Sequence, residues 1–126
     1  MMLARAWKDR RGATAVEMAL TLPAFLMLAL GCIEYGLATY TQLCLQHGVE
    51  TAARCAVVNS IRCGNPSATQ AFASQQSYGL RPPLSTFSVT MASDCGALVQ
   101  ASYQFNFVTQ YFGDPLTITA SSCFPR

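Results

Sequence analysis

The residues whose order suggests chemistry lie near the start of the chain, where a basic cluster is followed by a glycine and then by a lone acid. Two arginines precede Gly12, and Glu17 follows at the edge of an apolar run over residues 18–33. A carboxylate in a membrane segment is costly, so such an acid is a functional candidate. Cleavage after Gly12 would create a positively charged amino terminus at Ala13, one helical turn before Glu17. If such a cut is made, the new terminus of a neighbouring subunit could pair with the Glu17 carboxylate.

Three strings in the first third of the chain carry a wider pattern. They are the run Arg11-Gly12-Ala13-Thr14-Ala15-Val16-Glu17-Met18-Ala19-Leu20, the pair Leu22-Pro23, and Gly31-Cys32-Ile33-Glu34-Tyr35-Gly36. Together they resemble the TadE-like family of pseudopilins from tight-adherence (Flp, type IVc) pilus systems. The resemblance implies that a prepilin peptidase cuts between Gly12 and Ala13, and that Glu17 guides the packing of subunits.

Pro23 interrupts the apolar run. Proline removes one backbone hydrogen bond and crowds the carbonyl of Ala19, which predicts a kink or a locally melted turn. In pilin-like helices such a break is associated with bending during assembly. The alternative is that the proline is simply tolerated, as it often is in membrane helices.

Composition, charge and the cleavage site that the resemblance implies predict three parts: a basic prepilin leader over 1–12, a transmembrane helix over 13–35, and an exported domain over 36–126. Charged residues make up only 11% of the chain and hydrophobic residues 52%, and a membrane segment explains both. Lys and Arg flanking such a segment stay in the cytoplasm, which predicts an inner-membrane, single-pass protein with a periplasmic carboxy-terminal domain. The arginines outside the leader are scattered, which argues against binding to nucleic acid.

The predicted fold is α+β and pilin-like. One helix is expected from about Ala13 to Val58, its second half carrying an apolar stripe of Leu45, Val49, Ala52 and Ala56. A second helix, over Ser67–Tyr78, follows the start signal Asn65-Pro66. Alternating residues then predict three antiparallel strands, around 87–91, 97–107 and 116–123, which the second half of the long helix covers. Burial under that helix is the expected role of the aromatic row Tyr103, Phe105 and Phe107.

The six cysteines of an exported chain suggest disulfides. In a three-stranded meander the end of the third strand lies beside the turn before the second, which pairs Cys95 with Cys123. Cys55 and Cys63 bracket the end of the long helix and form the second expected pair. Cys32 falls in the membrane segment as a small apolar residue, and Cys44 is either free or intermolecular.

An enzyme is not expected, and neither is a cofactor. His47 is the only histidine, and no Ser-His-Asp group, convergent carboxylate pair or phosphate-binding glycine loop is visible. The tight Cys-x-x-Cys spacing of zinc sites is absent, which argues against a metal.

The leading functional hypothesis is a minor pilin or pseudopilin that assists assembly of an adhesion pilus. Its expected partners are the prepilin peptidase, other pilin or pseudopilin subunits, the inner-membrane assembly platform and the lipid bilayer. Two alternatives stay open: a pseudopilin of a type II secretion system, and an exported lipoprotein lipidated at Cys32 within Leu28-Ala29-Leu30-Gly31-Cys32.

Overall fold

The computed structural model describes residues 10–109 and 113–125. The long apolar helix, the short helices and the antiparallel sheet form an α+β fold, as the sequence predicts. The chain divides between Gly36 and Leu37 into two units. The elements in order are helix α1 (Arg10–Val58), helix α2 (Ser60–Cys63), helix α3 (Pro66–Gln76), the 3-10 helix η1 (Leu84–Thr86), and strands β1 (Phe87–Ser93), β2 (Gly96–Phe105) and β3 (Leu116–Phe124).

Helix α1 begins earlier than the sequence predicts. It starts at Arg10 rather than near Ala13, so the last three residues of the expected leader are helical. Arginine is a good helix former, and Gly12 carries only a modest penalty, so the helix extends upstream of the apolar run. Residues 1–9 of the expected leader lie outside the described part of the chain.

The core of the carboxy-terminal unit is built around the second half of α1. Leu45, Val49 and Ala52 are completely buried, as the predicted stripe requires. Ala53 is the fourth fully buried position, whereas Ala56 is only half-buried. The surrounding core residues are Ala73 from α3 and Phe87, Val99, Ala101, Ile118 and Ala120 from the sheet.

Gly48 allows α1 and α3 to approach closely. A Cβ atom at this position would lie 2.9 Å from the carbonyl oxygen of Ala73 and 2.5 Å from Oγ of Ser77. The Ser77 hydroxyl is itself fixed, because it donates to that same carbonyl oxygen at 2.8 Å. Only glycine fits this contact without moving the helices apart.

Helix α3 starts at the predicted signal and ends before the predicted stop. The side-chain oxygen of Asn65 accepts a hydrogen bond from the backbone N–H of Ala68 at 2.8 Å, and Pro66 is the first helical residue. The helix ends at Gln76 instead of Tyr78. Tyr78 and Gly79 both have positive φ angles, 41° and 85°, which are incompatible with continued right-handed helix.

The sheet is an antiparallel meander in the order β1-β2-β3. Along β2, buried Ala97, Val99 and Ala101 alternate with side chains on the outer face, as the period-two pattern predicts. The strand ends at Phe105 rather than at the predicted Phe107. The aromatic row is half-buried rather than fully covered: Tyr103 and Phe105 pack against the core, and Phe105 meets Phe107 edge to face at 5.5 Å.

Two disulfides tie this unit together, and they join the cysteines that the sequence pairs. Cys55 bonds to Cys63 with a Cα–Cα distance of 5.8 Å, and Cys95 bonds to Cys123 at 6.2 Å. The register places Cys123 opposite Leu98, near the turn that holds Cys95. Both distances lie in the usual range for disulfides.

The two bonds should differ in their contribution to stability. The Cys95–Cys123 bond spans 28 positions and the Cys55–Cys63 bond only 8. Removing the first with two alanines should lower the free energy of unfolding by about 3.5 kcal/mol, and removing the second by about 2.5 kcal/mol, in the chain-entropy picture. Thermal unfolding of the full chain in detergent measures both. Cys32→Ala, which removes an exposed free thiol, is the matched control and should leave the unfolding temperature unchanged. An equal loss from both double variants would contradict the loop-length argument.

Candidate processing and subunit-contact site

The expected cleavage site is an exposed stretch of helix α1. Gly12, Ala13 and Glu17 are all exposed to solvent. No atom lies within 4 Å of the place a Cβ would occupy at Gly12. In the uncut chain α1 starts at Arg10, so Glu17 lies about two turns inside the helix and no acid occupies its first turn. Cleavage after Gly12 would shorten the helix and bring Glu17 to its fifth residue, where the helix dipole favours a negative charge.

The carboxylate of Glu17 is exposed. Within the described residues its side chain forms no ion pair, and the only hydrogen bond to this residue is from the Thr21 hydroxyl to its backbone carbonyl, at 3.0 Å. The charge is therefore available to a group from outside the chain. The structure places Glu17 close to Ala13 along the helix but brings no other candidate group to it.

A long apolar surface follows Glu17. Ten large apolar side chains between residues 16 and 33 are 47 to 75% exposed, a contiguous area that a soluble protein would not leave in water. Within the described chain α1 is the one helix long and apolar enough to cross a membrane. It is thus consistent with a single-pass membrane anchor. The ten are Val16, Met18, Leu20, Leu22, Phe25, Leu26, Met27, Leu28, Leu30 and Ile33.

Pro23 does not interrupt α1. The helix continues through it from Arg10 to Val58, so the locally melted turn that the sequence allowed is not present. Helices tolerate an internal proline when the freed backbone groups find other partners. A bend of the helix axis at Pro23 stays a prediction.

Glu34 is a site residue that the sequence reasoning missed. Its side chain is only 4% exposed, in contrast to the open Glu17. Its position directly after the apolar run was visible in the sequence, whereas its burial was not.

The two unpaired cysteines differ in accessibility. Cys32 is exposed and Cys44 is buried, with 1% of its surface accessible. Of the two options for Cys44, the structure shows the free thiol, and it is buried. The Tyr40 hydroxyl lies one turn earlier, and its hydrogen bonding to the Cys44 side chain raises the pKa of that hydroxyl.

His47 has a packing role in the carboxy-terminal unit. Its ring stacks on Tyr78 with the centroids 4.4 Å apart. The backbone carbonyl of Tyr78 in turn accepts a hydrogen bond from the Tyr40 hydroxyl at 3.1 Å. Among the described residues, no three His, Cys, Asp or Glu side chains are grouped so that they could hold a metal ion.

Comparison with known proteins bears on this same stretch. The model of the family described as TadE-like protein matches residues 12–54. The match covers the candidate cleavage site, Glu17, the apolar surface and most of the buried stripe of α1. No curated protein and no solved structure matches the chain.

The structure defines an α+β protein whose long apolar helix is consistent with a single-pass membrane anchor. Over residues 12–54 the chain is TadE-like, which confirms the resemblance drawn from its sequence strings. Proteins of that family are associated with Tad pili and are structural proteins rather than enzymes.

Proposed function

We propose that this protein is a minor pilin or pseudopilin that assists assembly of a Tad (Flp, type IVc) adhesion pilus. A prepilin peptidase removes residues 1–12, and residues 13–35 hold the product in the bacterial inner membrane. The carboxy-terminal unit lies in the periplasm, because the basic residues cluster before the helix. Other pilin subunits and the inner-membrane assembly platform are its partners.

The observation that carries the proposal is the exposed carboxylate of Glu17 at the start of an exposed apolar helix. Within the described chain this charge has no ionic partner, and the apolar side chains after it are uncovered. A carboxylate at the rim of a membrane is stabilised by a cation brought to the same depth. The ammonium group of Ala13 on a neighbouring, processed subunit supplies such a cation. The family match over residues 12–54 supports the same assignment.

Mapping the amino terminus of the protein purified from membranes tests the proposal. Mass spectrometry should find Ala13 as the first residue of a membrane-bound species, together with two disulfides. A chain that retains residues 1–12 in the assembled form would overturn processing. A lipidated Cys32 at the amino terminus would establish the lipoprotein alternative instead.

A Tad pilus protein and a secretion pseudopilin share the processing step, so a different experiment must distinguish them. Deletion of the gene should abolish adhesion pili and leave type II secretion of exoproteins intact. Loss of secretion with normal pili would assign the protein to the other system.

A further inference from the structure

The two disulfides of the carboxy-terminal unit differ in their access to solvent. In the Cys55–Cys63 bond, Cys63 is completely buried and Cys55 is half-buried. In the Cys95–Cys123 bond, Cys95 is exposed and Cys123 is half-buried. Thiol–disulfide exchange requires a thiolate to reach one of the two sulfur atoms, so access decides which bond reacts first. The Cys95–Cys123 bond is therefore the more accessible target for a thiol from outside the chain.

The turn around Cys95 brings a hydroxyl group to this bond. Strand β1 has a register shift before Ser93, and Ser93 pairs with Gly96 across the turn that contains Cys95. Oγ of Ser93 lies 3.1 Å from Sγ of Cys95 and 3.8 Å from Sγ of Cys123. One hydroxyl therefore contacts both sulfur atoms of the disulfide.

Gly96 allows the end of β3 to approach this turn. Its φ angle is 119°, in the region that favours glycine. A Cβ atom at this position would collide with the backbone carbonyl oxygen of Phe124, which directly follows Cys123. The close approach at Gly96 thus holds the second sulfur against the turn. We call the group formed by Ser93, Cys95, Gly96 and Cys123 the exchange site.

The single hydrogen of the Ser93 hydroxyl has two competing kinds of acceptor. In the resting structure the hydroxyl donates to the carbonyl oxygen of Gly96 at 2.8 Å, and the sulfur atoms of a disulfide are only weak acceptors. A thiolate is charged, and hydrogen bonds to charged groups are stronger than those between neutral groups. When the disulfide opens, rotation of the hydroxyl directs its hydrogen to the sulfur that becomes negative. An interaction that strengthens on the way to the transition state accelerates the reaction.

We propose that the Cys95–Cys123 bond is a thiol-exchange site and that the Ser93 hydroxyl stabilises the leaving thiolate. The thiolate of a partner attacks Sγ of Cys95 and forms a new S–S bond with it. The old S–S bond breaks, its electron pair goes to Sγ of Cys123, and the resulting thiolate takes a proton from water. When the partner is a dithiol, its second thiolate displaces Cys95 from the mixed disulfide. The partner is then oxidised to a disulfide, and both cysteines of the chain are reduced.

Reduction of the full-length protein in bilayer nanodiscs tests the site. The background carries Cys32→Ala, which removes the exposed free thiol, and the probe is 2-mercaptoethanol, an uncharged monothiol. Samples are quenched with acid, alkylated and mapped by mass spectrometry. The Cys95–Cys123 bond should open about ten times faster than the Cys55–Cys63 bond, or more, with the mixed disulfide on Cys95. Equal rates, faster opening of the Cys55–Cys63 bond, or a mixed disulfide on Cys123 would each overturn the proposal.

The Ser93→Ala variant tests the role of the hydroxyl. Loss of the hydrogen bond to the leaving thiolate should slow opening of the Cys95–Cys123 bond about fivefold, whereas Ser93→Thr, which keeps a hydroxyl, should restore the rate. A merely structural role predicts the opposite change, because losing the hydrogen bond to Gly96 would loosen the turn and speed the attack.

Ser88→Ala is the matched control, since it removes an exposed hydroxyl from the same strand and should leave the rate of opening unchanged. Three results would overturn the role of the Ser93 hydroxyl. They are an unchanged or faster rate with Ser93→Ala, a rate with Ser93→Thr as slow as that with Ser93→Ala, and an equal loss with Ser88→Ala.

Discussion

The Glu17→Gln variant is expected to enter the membrane in normal amounts, to lose residues 1–12 normally, and to lower the number of assembled pili by about tenfold or more. A tenfold change corresponds to roughly 1.4 kcal/mol per subunit contact. Glutamine keeps the size and hydrogen-bonding capacity of the side chain and removes only its charge. A loss of assembly therefore reports on an ionic contact and not on packing.

The physical reason lies in the surroundings of the carboxylate. Glu17 is exposed on α1 and, within the described residues, has no ionic partner, while the apolar surface that follows it requires lipid or other subunits. At the edge of the bilayer, the charge loses part of its hydration when subunits pack around it. In the function proposed above, pairing with the Ala13 ammonium of a neighbour would compensate for that loss, and an uncharged side chain could not form the pair.

Glu50→Gln is the matched control for this experiment. Glu50 is the other exposed glutamate of α1, and its carboxylate accepts a hydrogen bond from Nε2 of Gln46 at 2.7 Å. The substitution removes the same charge from the same helix, outside the apolar segment, and should leave pilus number unchanged. Immunoblots of membranes and counts of pili by electron microscopy give the two readouts. Normal piliation with Glu17→Gln, or equal defects from both variants, would contradict the ionic contact.

The parts of the fold that the sequence predicts are those that depend on local rules. Asn65-Pro66 is a capping residue followed by a proline, and the structure uses both in that way. The alternation along β2 and β3 predicts their pairing, and the pairing in turn brings Cys95 and Cys123 together. These inferences need only the residue types at neighbouring positions and the reversal of the chain between consecutive strands.

The parts that were missed depend on longer-range packing or on very short elements. Helix α2 has only four residues and is capped by the side chain of Asn59. A segment of this length is too short to show the periodic apolar pattern of a helix. The burial of Glu34 and Cys44 depends on which chain segments pack around α1. Helix α1 also starts at Arg10, before the predicted start near Ala13. That prediction placed the start of the helix at the expected cleavage point, but a cleavage point does not require a change in backbone conformation.

Replacing Gly12 with alanine is the second large effect that we expect. The leader should remain attached to essentially all of the protein, visible by mass spectrometry as a membrane-bound chain that still carries residues 1–12. The resemblance to prepilins implies that the peptidase cuts after a glycine, and a methyl group at this position would occupy the space that the glycine leaves free in the peptidase site. With the leader retained, Ala13 has no free ammonium. The number of assembled pili should therefore fall, as we expect for Glu17→Gln.

The structure gives no reason to expect that this variant misfolds. Among the described residues no atom lies within 4 Å of the added Cβ at Gly12, its φ is not in the left-handed region, and the residue is inside a helix. Alanine is a better helix former than glycine by about 1 kcal/mol, so the helix itself is not weakened.

Gly36→Ala is the matched control, because Gly36 is also a helical glycine of α1 with open space around its Cβ position. It should be processed and assembled normally. Removal of a leader of a different length from the Gly12→Ala chain would show that cleavage does not occur at this glycine. Because Ala13 would then lose its role, the ionic contact assigned to Glu17 would need a different cation.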